Sequence, residues 1–325
     1  MKKVDISIVL TSFNDQNIER VLVDIASANF KGFEIEIIIL EAGLYNQNLV
    51  KDKLGLLKEK LVYFHIPKLS RGAALKFLFK KASGIFVCRL DSRTHIYQNY
   101  FQDLYELANK INAENVGGVI EPVGNNTKQK LIAKVMQSKF CLGGGKFREE
   151  NFKGFCETVY LGFFLNSFLK KNKILFDENP KISEDSDINY QIRKNGGKVY
   201  CDSRIKVKYF AREQLSSFFR LMFNYGISRG LFIQKNKSLR LRHIIPPSLL
   251  LVLFTLLILS FFSILPLYLL ISSIFIYSLV NLFFVFKMKL NIRHSIVTFF
   301  CFLCVHFCWS FGLLFSFKSL ISKKT

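Results

Sequence analysis

Two nucleotide-binding signatures are missing from this sequence. No Gly-x-Gly-x-x-Gly follows the first predicted strand and no Walker lysine loop occurs, which disfavours a dinucleotide dehydrogenase and a P-loop NTPase. Acid is scarce: 24 Asp and Glu stand against 46 Lys and Arg, a formal net charge of +22. A surplus of that sign points to nucleic acid, an anionic membrane surface or a polyphosphate substrate. A disulfide framework is absent too, since the seven cysteines are scattered, and this fits a reducing compartment. Cys301 and Cys304 have metal-like spacing, but their apolar surroundings favour packing over zinc. The first residues give no secretory signal, because Lys2 and Lys3 lead into Asp5 and a short strand-like run.

What the chain has in excess is apolar residues, half of its 325, concentrated after Pro246. Before that point the pattern alternates. Ile6–Leu10, Glu34–Leu40, Leu61–His65 and Ile85–Cys88 read as buried strands. Helical spacing occupies Asn17–Ala28 and a stretch opening at Ser70 and running to Ala82. Three of the four strands end in a polar or acidic residue. This alternation predicts a doubly wound, mostly parallel, Rossmann-like α/β sheet that binds ligands at the carboxyl ends of its strands.

Asp91 stands just past the fourth strand, between Arg89 and Arg93. An aspartate there suits a metal, or a ribose next to a diphosphate; a solvated turn is the alternative. Arg71, behind a Ser70 cap, would lie near an anion bound at a helix start. Further strands are expected at Val116–Ile120, at Thr158–Phe164 and from Val199, with a helix at Asn99–Ile111. Gly162 marks either a bulge or the close approach of a ligand. Gly143-Gly144-Gly145 reads as a mobile loop, with the cradling of a phosphate as the alternative. Ser183 caps a helix whose first turn holds Glu184, Asp185 and Asp187. These acids are either helix-end stabilisers or include a general base facing a cleft.

Five stretches in this order resemble the family 2 glycosyltransferases, inverting GT-A enzymes that use nucleotide sugars. They are Ser7-Ile8-Val9-Leu10-Thr11-Ser12-Phe13-Asn14, Ser70-Arg71-Gly72-Ala73-Ala74, Arg89-Leu90-Asp91-Ser92-Arg93, Phe176-Asp177-Glu178 and Glu184-Asp185. The third stretch, with Tyr225-Gly226 and the apolar tail, looks like the exopolysaccharide branch that includes succinoglycan-type glucosyltransferases. The resemblance implies roles. Asp185 would be the general base. Asp91 would hold Mg²⁺ or Mn²⁺ on the donor diphosphate. Thr11, Phe13, Asn14, Glu41, Arg71 and Arg93 would bind the donor, with a UDP-sugar expected, and Glu184 and Gly162 would lie on the acceptor side. The chain departs from the family pattern in three places. Arg93 replaces the second acid of Asp-x-Asp, Glu41 replaces an Asp, and the Gln-x-x-Arg-Trp element of processive synthases is missing between Phe218 and Arg229. Single-sugar transfer is therefore expected.

The expected domains are a catalytic part over 1–210, a basic amphipathic segment over 211–243 and a transmembrane region over 244–325. In the last of these, a hairpin at 245–286 precedes a span at 294–317. Lys235, Lys237, Arg240 and Arg242 mark the cytoplasmic side ahead of the first apolar run. Lys318, Lys323 and Lys324 follow the third run against that rule, unless the run turns back around Trp309–Gly312. The expectation is a multi-pass protein of the cell inner (plasma) membrane, its catalytic part cytoplasmic, acting on a lipid-linked saccharide. Direct transfer to polyprenyl phosphate and a catalytically inactive scaffold are the rival readings. A nucleic-acid partner is not expected, because basic and aromatic residues interleave mainly beside the apolar tail.

Overall fold

A computed structural model describes residues 3–15, 17–44, 46–142 and 144–321, with side chains described as far as 317. Gly143, Lys323, Lys324 and the side chain of Lys318 lie outside the described residues. The elements follow in the order β1 (Ile6–Ser12), α1 (Ile18–Ser27), β2 (Ile35–Glu41), α2 (Gln47–Leu54), β3 (Leu61–His65), α3 (Arg71–Lys81) and β4 (Phe86–Asp91). Then come β5 (Thr94–His95), α4 (Tyr100–Ile111), β6 (Asn115–Val123), α5 (Thr127–Gln137), α6 (Lys139–Leu142), β7 (Lys153–Phe155) and β8 (Phe163–Leu165). The chain continues with α7 (Asn166–Lys171), α8 (Glu184–Lys194), β9 (Val199–Phe210), α9 (Leu215–Asn236), α10 (Leu241–Leu259), α11 (Ile264–Lys287) and α12 (Ile292–Ile321).

It forms two compact units. The first takes residues 1–121, 145–180 and 184–209; the second takes 122–144, 181–183 and 210–325. The sheet runs β3-β2-β1-β4-β8-β6-β9-β5, with β7 on β9. Its β3-β2-β1-β4 part is parallel, while β8 is antiparallel to β4 and β6. Side chains alternate across these strands, and each face has its own core. Ile8, Leu10, Ile37 and Ile39 pack with Val21, Leu22 and Ile25 of α1 and with Phe101 and Leu104 of α4. Val9, Ile38, Leu40 and Val87 pack with Ala74, Leu75 and Leu78 of α3 and with Ile188 and Ile192 of α8. Near-continuous apolar strands were needed for this, since both faces are covered.

Three sequence expectations change. Strand β4 does not stop at Cys88 but runs through Arg89 to Asp91, because its pairing with β1 continues to Thr11↔Asp91. The stretch from Thr158 is irregular, and only Phe163–Leu165 is strand. Third, α12 is one uninterrupted helix through Trp309 and Gly312, so the chain does not turn back there.

Among the described residues, three helices of the second unit are long and apolar enough to cross a membrane: Leu241–Leu259, Ile264–Lys287 and the part of α12 from Ile292 to Phe317. Helix α9 lies against α12 at backbone distance. A Cβ on Gly226 would overlap the Trp309 carbonyl, one on Gly230 the Ser316 side chain, and one on Gly312 the Phe223 carbonyl. Small residues four apart let two helices approach this closely. Gln234 adds a hydrogen bond from Nε2 to the Ser316 carbonyl at 3.1 Å.

Candidate active site

The parallel strands end level with one another. Register pairs Thr11 with Asp91, Ser12 with Glu41 and Glu41 with His65. Polar groups from four strands therefore share one edge, the edge where open α/β sheets bind ligands.

Arg89 organises the centre of this edge. Its side chain is 1% exposed, and a buried charge of that kind needs close partners. It has two. Nε and Nη2 donate to Asp91 at 3.2–3.3 Å, and Nη1 donates to Asp185 Oδ1 at 2.6 Å. One guanidinium thus joins the end of β4 to the start of α8. Residues i and i+2 of a strand face the same way, which places Arg89 and Asp91 side by side. That signal was present in the sequence, but it needed a strand extending beyond Cys88.

Arg71 closes the arrangement from α3. Its Nη2 lies 2.5 Å from Asp91 Oδ2, and its Nε lies 3.3 Å from Glu184 Oε1. The Ser70 cap predicted from the sequence is formed, with Oγ accepting from Ala73 N and donating to the Glu178 carbonyl. Gly72 is needed because a Cβ would overlap the Asp177 carbonyl oxygen, so α3 can approach the Phe176–Glu178 stretch only through glycine.

Helix α8 is fixed from below. Asn115 Nδ2 donates to Asn189 Oδ1 at 2.6 Å, and Asn189 Nδ2 reaches both Thr158 Oγ1 and the Asp185 carbonyl. Thr158 Oγ1 donates to that carbonyl as well, at 3.2 Å. This buried polar ladder sets where Asp185 stands.

The electrostatics separate the two central acids. Burial would raise Asp91, but the guanidiniums of Arg71 and Arg89 outweigh it and hold the carboxyl down at about 2. For Asp185 burial prevails. Asp91 and Glu184 push the same way, Arg89 and Arg71 oppose them, and the carboxyl rises to about 6. Tyr160, whose hydroxyl lies 3.5 Å from Asp91 Oδ2, is raised by burial and by that acid. Neighbouring charges and burial thus hold the two central acids apart, Asp91 below and Asp185 above the usual carboxylate range.

The other predicted residues fall into two neighbouring clusters. Glu41 Oε1 accepts from Gly43 N at 2.7 Å and Asn14 N at 3.3 Å, while Asn14 Oδ1 accepts from Leu44 N. Glu41 thereby ties the ends of β1 and β2 together, with Thr11 buried and Phe13 40% exposed beside it. Arg93 turns to Asp15, with Nε 3.6 Å from Oδ2, where Ser92 Oγ also donates at 2.7 Å. Burial would raise Asp15, but hydrogen bonds from Asn17 and Ser92 and the charge on Arg93 lower it. Gly162 has φ +92°, its Cβ position is filled by the Phe164 ring and Asn115, and its carbonyl accepts from Arg89 N. Sequence reasoning gave no role to Arg89, Asp15, Tyr160 or the Asn115–Asn189–Thr158 ladder.

Asp91 supports a divalent cation only in a minimal form. It is the single acid at that position, and among the described residues no group of three or more His, Cys, Asp or Glu is placed to hold a metal. One carboxylate with substrate phosphates and water is enough for Mg²⁺. Arg71, the partner that would have to yield, has a side chain 40% exposed.

No protein-family model matches the chain. It is similar over 241 residues, at 26% identity, to the dolichyl N-acetyl-alpha-D-glucosaminyl phosphate 3-beta-D-2,3-diacetamido-2,3-dideoxy-beta-D-glucuronosyltransferase of Methanococcus voltae. That match covers 71% of this chain and 74% of the relative. Over 244 residues it is 22% identical to succinoglycan biosynthesis protein ExoA of Rhizobium meliloti (strain 1021), covering 74% and 73%. In fold it is similar to the mannosyltransferase PcManGT from Pyrobaculum calidifontis, solved with GDP-mannose and Mn²⁺. That comparison gives a TM-score of 0.64 at 10% identity, covering 95% of this chain and 87% of the other.

Proposed function

We propose that this family 2, GT-A glycosyltransferase moves a single sugar from a nucleotide-sugar donor to a lipid-linked saccharide, with inversion, at the cytoplasmic face of the inner membrane. The observation that carries the reading is the pair Asp91 and Asp185, joined by Arg89 at the carboxyl edge and held at opposite ends of the carboxylate range. The lipid-linked acceptor is supported by the Methanococcus relative, named for a dolichyl-phosphate-linked sugar, and by three helices suited to span a membrane.

In the proposed reaction Asp185 takes the proton from an acceptor hydroxyl. The oxygen forms a bond to the anomeric carbon from the side opposite the nucleotide. The bond to the diphosphate breaks, and the departing nucleoside diphosphate keeps that electron pair. One displacement inverts the centre. Arg71, half-exposed beside Asp91, and Arg93, close to Asp15, supply positive charge toward the diphosphate. Asp91 would hold Mg²⁺ or Mn²⁺ together with donor phosphate oxygens, and the bound ion would offset charge on the leaving group. Phe13 offers an exposed ring for the base, and Glu184, ion-paired to Arg71, lies on the acceptor side.

The test is transfer of label in membranes carrying the protein, using a panel of nucleotide sugars with native lipid extract. A UDP-sugar is expected to serve, with GDP-mannose as the contrast. Label should enter the lipid phase with wild type and not with Asp185→Asn. Equal transfer by both would remove Asp185 from the chemistry. Chelation should abolish transfer and Mn²⁺ or Mg²⁺ restore it; full activity in chelator would leave the guanidiniums to neutralise the diphosphate alone. Bare polyprenyl phosphate serving as well as the extract would favour direct transfer to the lipid phosphate.

A further inference from the structure

One oxygen of Asp91 is offered more donors than it can hold. Its Oδ2 lies 2.5 Å from Arg71 Nη2, 3.3 Å from Arg89 Nη2 and 3.5 Å from the Tyr160 hydroxyl. A carboxylate oxygen has about two acceptor sites, so one of the bonds must be long, and it is the one from Tyr160. Burial, and Asp91 beside it, raise Tyr160 well above an ordinary phenol, so the hydroxyl keeps its proton and stays a donor.

The backbone brings Tyr160 to this place under strain. Gly162 N donates to the Tyr160 carbonyl at 2.9 Å, and Leu161 between them has φ +66°. An i→i+2 bond around a positive φ is the strained form of γ-turn, and a leucine adopts it only where its surroundings force it. Here they do. Leu161 is fully buried in the core, and the Gly162 carbonyl accepts from Arg89 N at 3.2 Å. Two residues before Tyr160, the Thr158 hydroxyl donates to the Asp185 carbonyl. The chain is thus held to β4 on one side of Tyr160 and to α8 on the other. Strain kept beside the central acid, with a hydroxyl aimed at it, calls for a role beyond packing.

Arg71 is the partner able to give way. Its Nε is buried and has no hydrogen-bond partner among the described residues, the 3.3 Å approach to Glu184 Oε1 being an ion pair only. A guanidinium with an unused buried donor suits an anion with several acceptor oxygens, such as a diphosphate.

We propose that Tyr160 is a positioning residue for Asp91: when the donor diphosphate draws Arg71 away from Oδ2, the Tyr160 hydroxyl takes its place and keeps the carboxylate oriented. Being neutral, it holds the acid without offsetting its charge. Naming the anion as a nucleotide donor rests on the transferase reading above; the exchange of partners at Asp91 does not.

The experiment is a double-mutant cycle on the full chain in nanodiscs, with Tyr160→Phe made in wild type and in Arg71→Gln. Phenylalanine keeps the ring that packs edge-on against Tyr209, 6.1 Å between centroids, and removes only the hydroxyl. Without ligand, Tyr160→Phe should leave the melting temperature within about 1 °C of wild type, because its bond is long. In Arg71→Gln, where the hydroxyl already holds Asp91, it should lower the melting temperature by about 2–4 °C. Calorimetry with Mg²⁺ present then reads the binding of UDP, GDP, ADP and dTDP. Tyr160→Phe should weaken the tightest of these about five- to tenfold in wild type and less than about twofold in Arg71→Gln. Where Arg71→Gln binds too weakly to measure, the melting temperatures decide alone. A packing role would give equal effects in both backgrounds, and that result would overturn the proposal. If wild type transfers sugar while Tyr160→Phe binds the diphosphate unchanged, the exchange falls and the transferase reading stands. If none of the four binds while the melting temperatures show the coupling, the donor reading falls and the exchange stands.

Discussion

The two units treat arginine in opposite ways. In the first, Arg71 and Arg89 are ion-paired with Asp91, Glu184 and Asp185. In the second, the sequence offers one carboxylate side chain, Glu213, so its many Lys and Arg are not matched by acids of their own unit. Paired charge fixes geometry: the guanidinium of Arg89 sets the separation of two acids. Surplus charge instead leaves a net field, which attracts anions and anionic surfaces. The same residue type therefore sets local geometry in one place and overall field in the other.

The sharpest way to break the first half of this contrast is Asp185→Asn. If Asp185 is the base, kcat should fall by about 10²–10⁴-fold with donor binding retained, as loss of a positioned base does. A variant that loses donor binding and turnover together would make Asp185 part of the charge scaffold instead. Arg89→Met attacks the scaffold directly. It leaves Asp91 and Asp185 facing each other without the buried cation, and stability should drop by about 3–5 kcal/mol. Denaturant unfolding of the full chain reads this. A loss below about 1 kcal/mol would mean that water already serves the two acids.

That central role for arginine is also where the sequence was hardest to read. The fold was largely legible. Periodicity located β1, β2, β3, α1 and α3 within a residue or two, because strands covered on both faces are almost wholly apolar and α1 repeats its apolar positions at helical spacing. Arg89 was hidden by the same logic: a charge in an apolar run reads as the end of a strand. Only the pairing with β1, a non-local fact, carries β4 on to Asp91. Asp15 was masked in another way. It sits in a polar loop next to β1, and nothing local indicates that Ser92 and Arg93 come to it. The Gly226 and Gly230 pair on α9 was not read from the sequence as a close-packing signal, because only its partner on α12 gives it that role.

The pH profile tests the separation of the two acids more gently. Asp185 works as a base only when ionised, and burial with its acidic neighbours raises it to about 6. Activity should therefore be level above that pH and fall about tenfold per unit below it, as the carboxylate takes up a proton. Asp91, held near 2, should stay ionised throughout. A profile that stays level down to about pH 4.5 would show that Arg89 keeps Asp185 ionised despite its burial.

The smallest expected effect distinguishes holding a residue from holding a helix. Ser70 caps α3 through Ala73 N and ties it to the Glu178 carbonyl, and the next residue is Arg71. Ser70→Ala should cost about 1 kcal/mol of stability, the usual value of a lost side-chain cap. Because Arg71 is anchored to Asp91 and Glu184 independently of the cap, the donor KM should move less than about threefold. Thermal unfolding and donor kinetics on one preparation give both numbers. A stability loss without a KM change places the positioning of Arg71 in its ion pairs, consistent with paired charge as the scaffold. A large KM change at small stability cost would instead assign that task to the helix end, and the contrast between the two units would then rest on Arg89 alone.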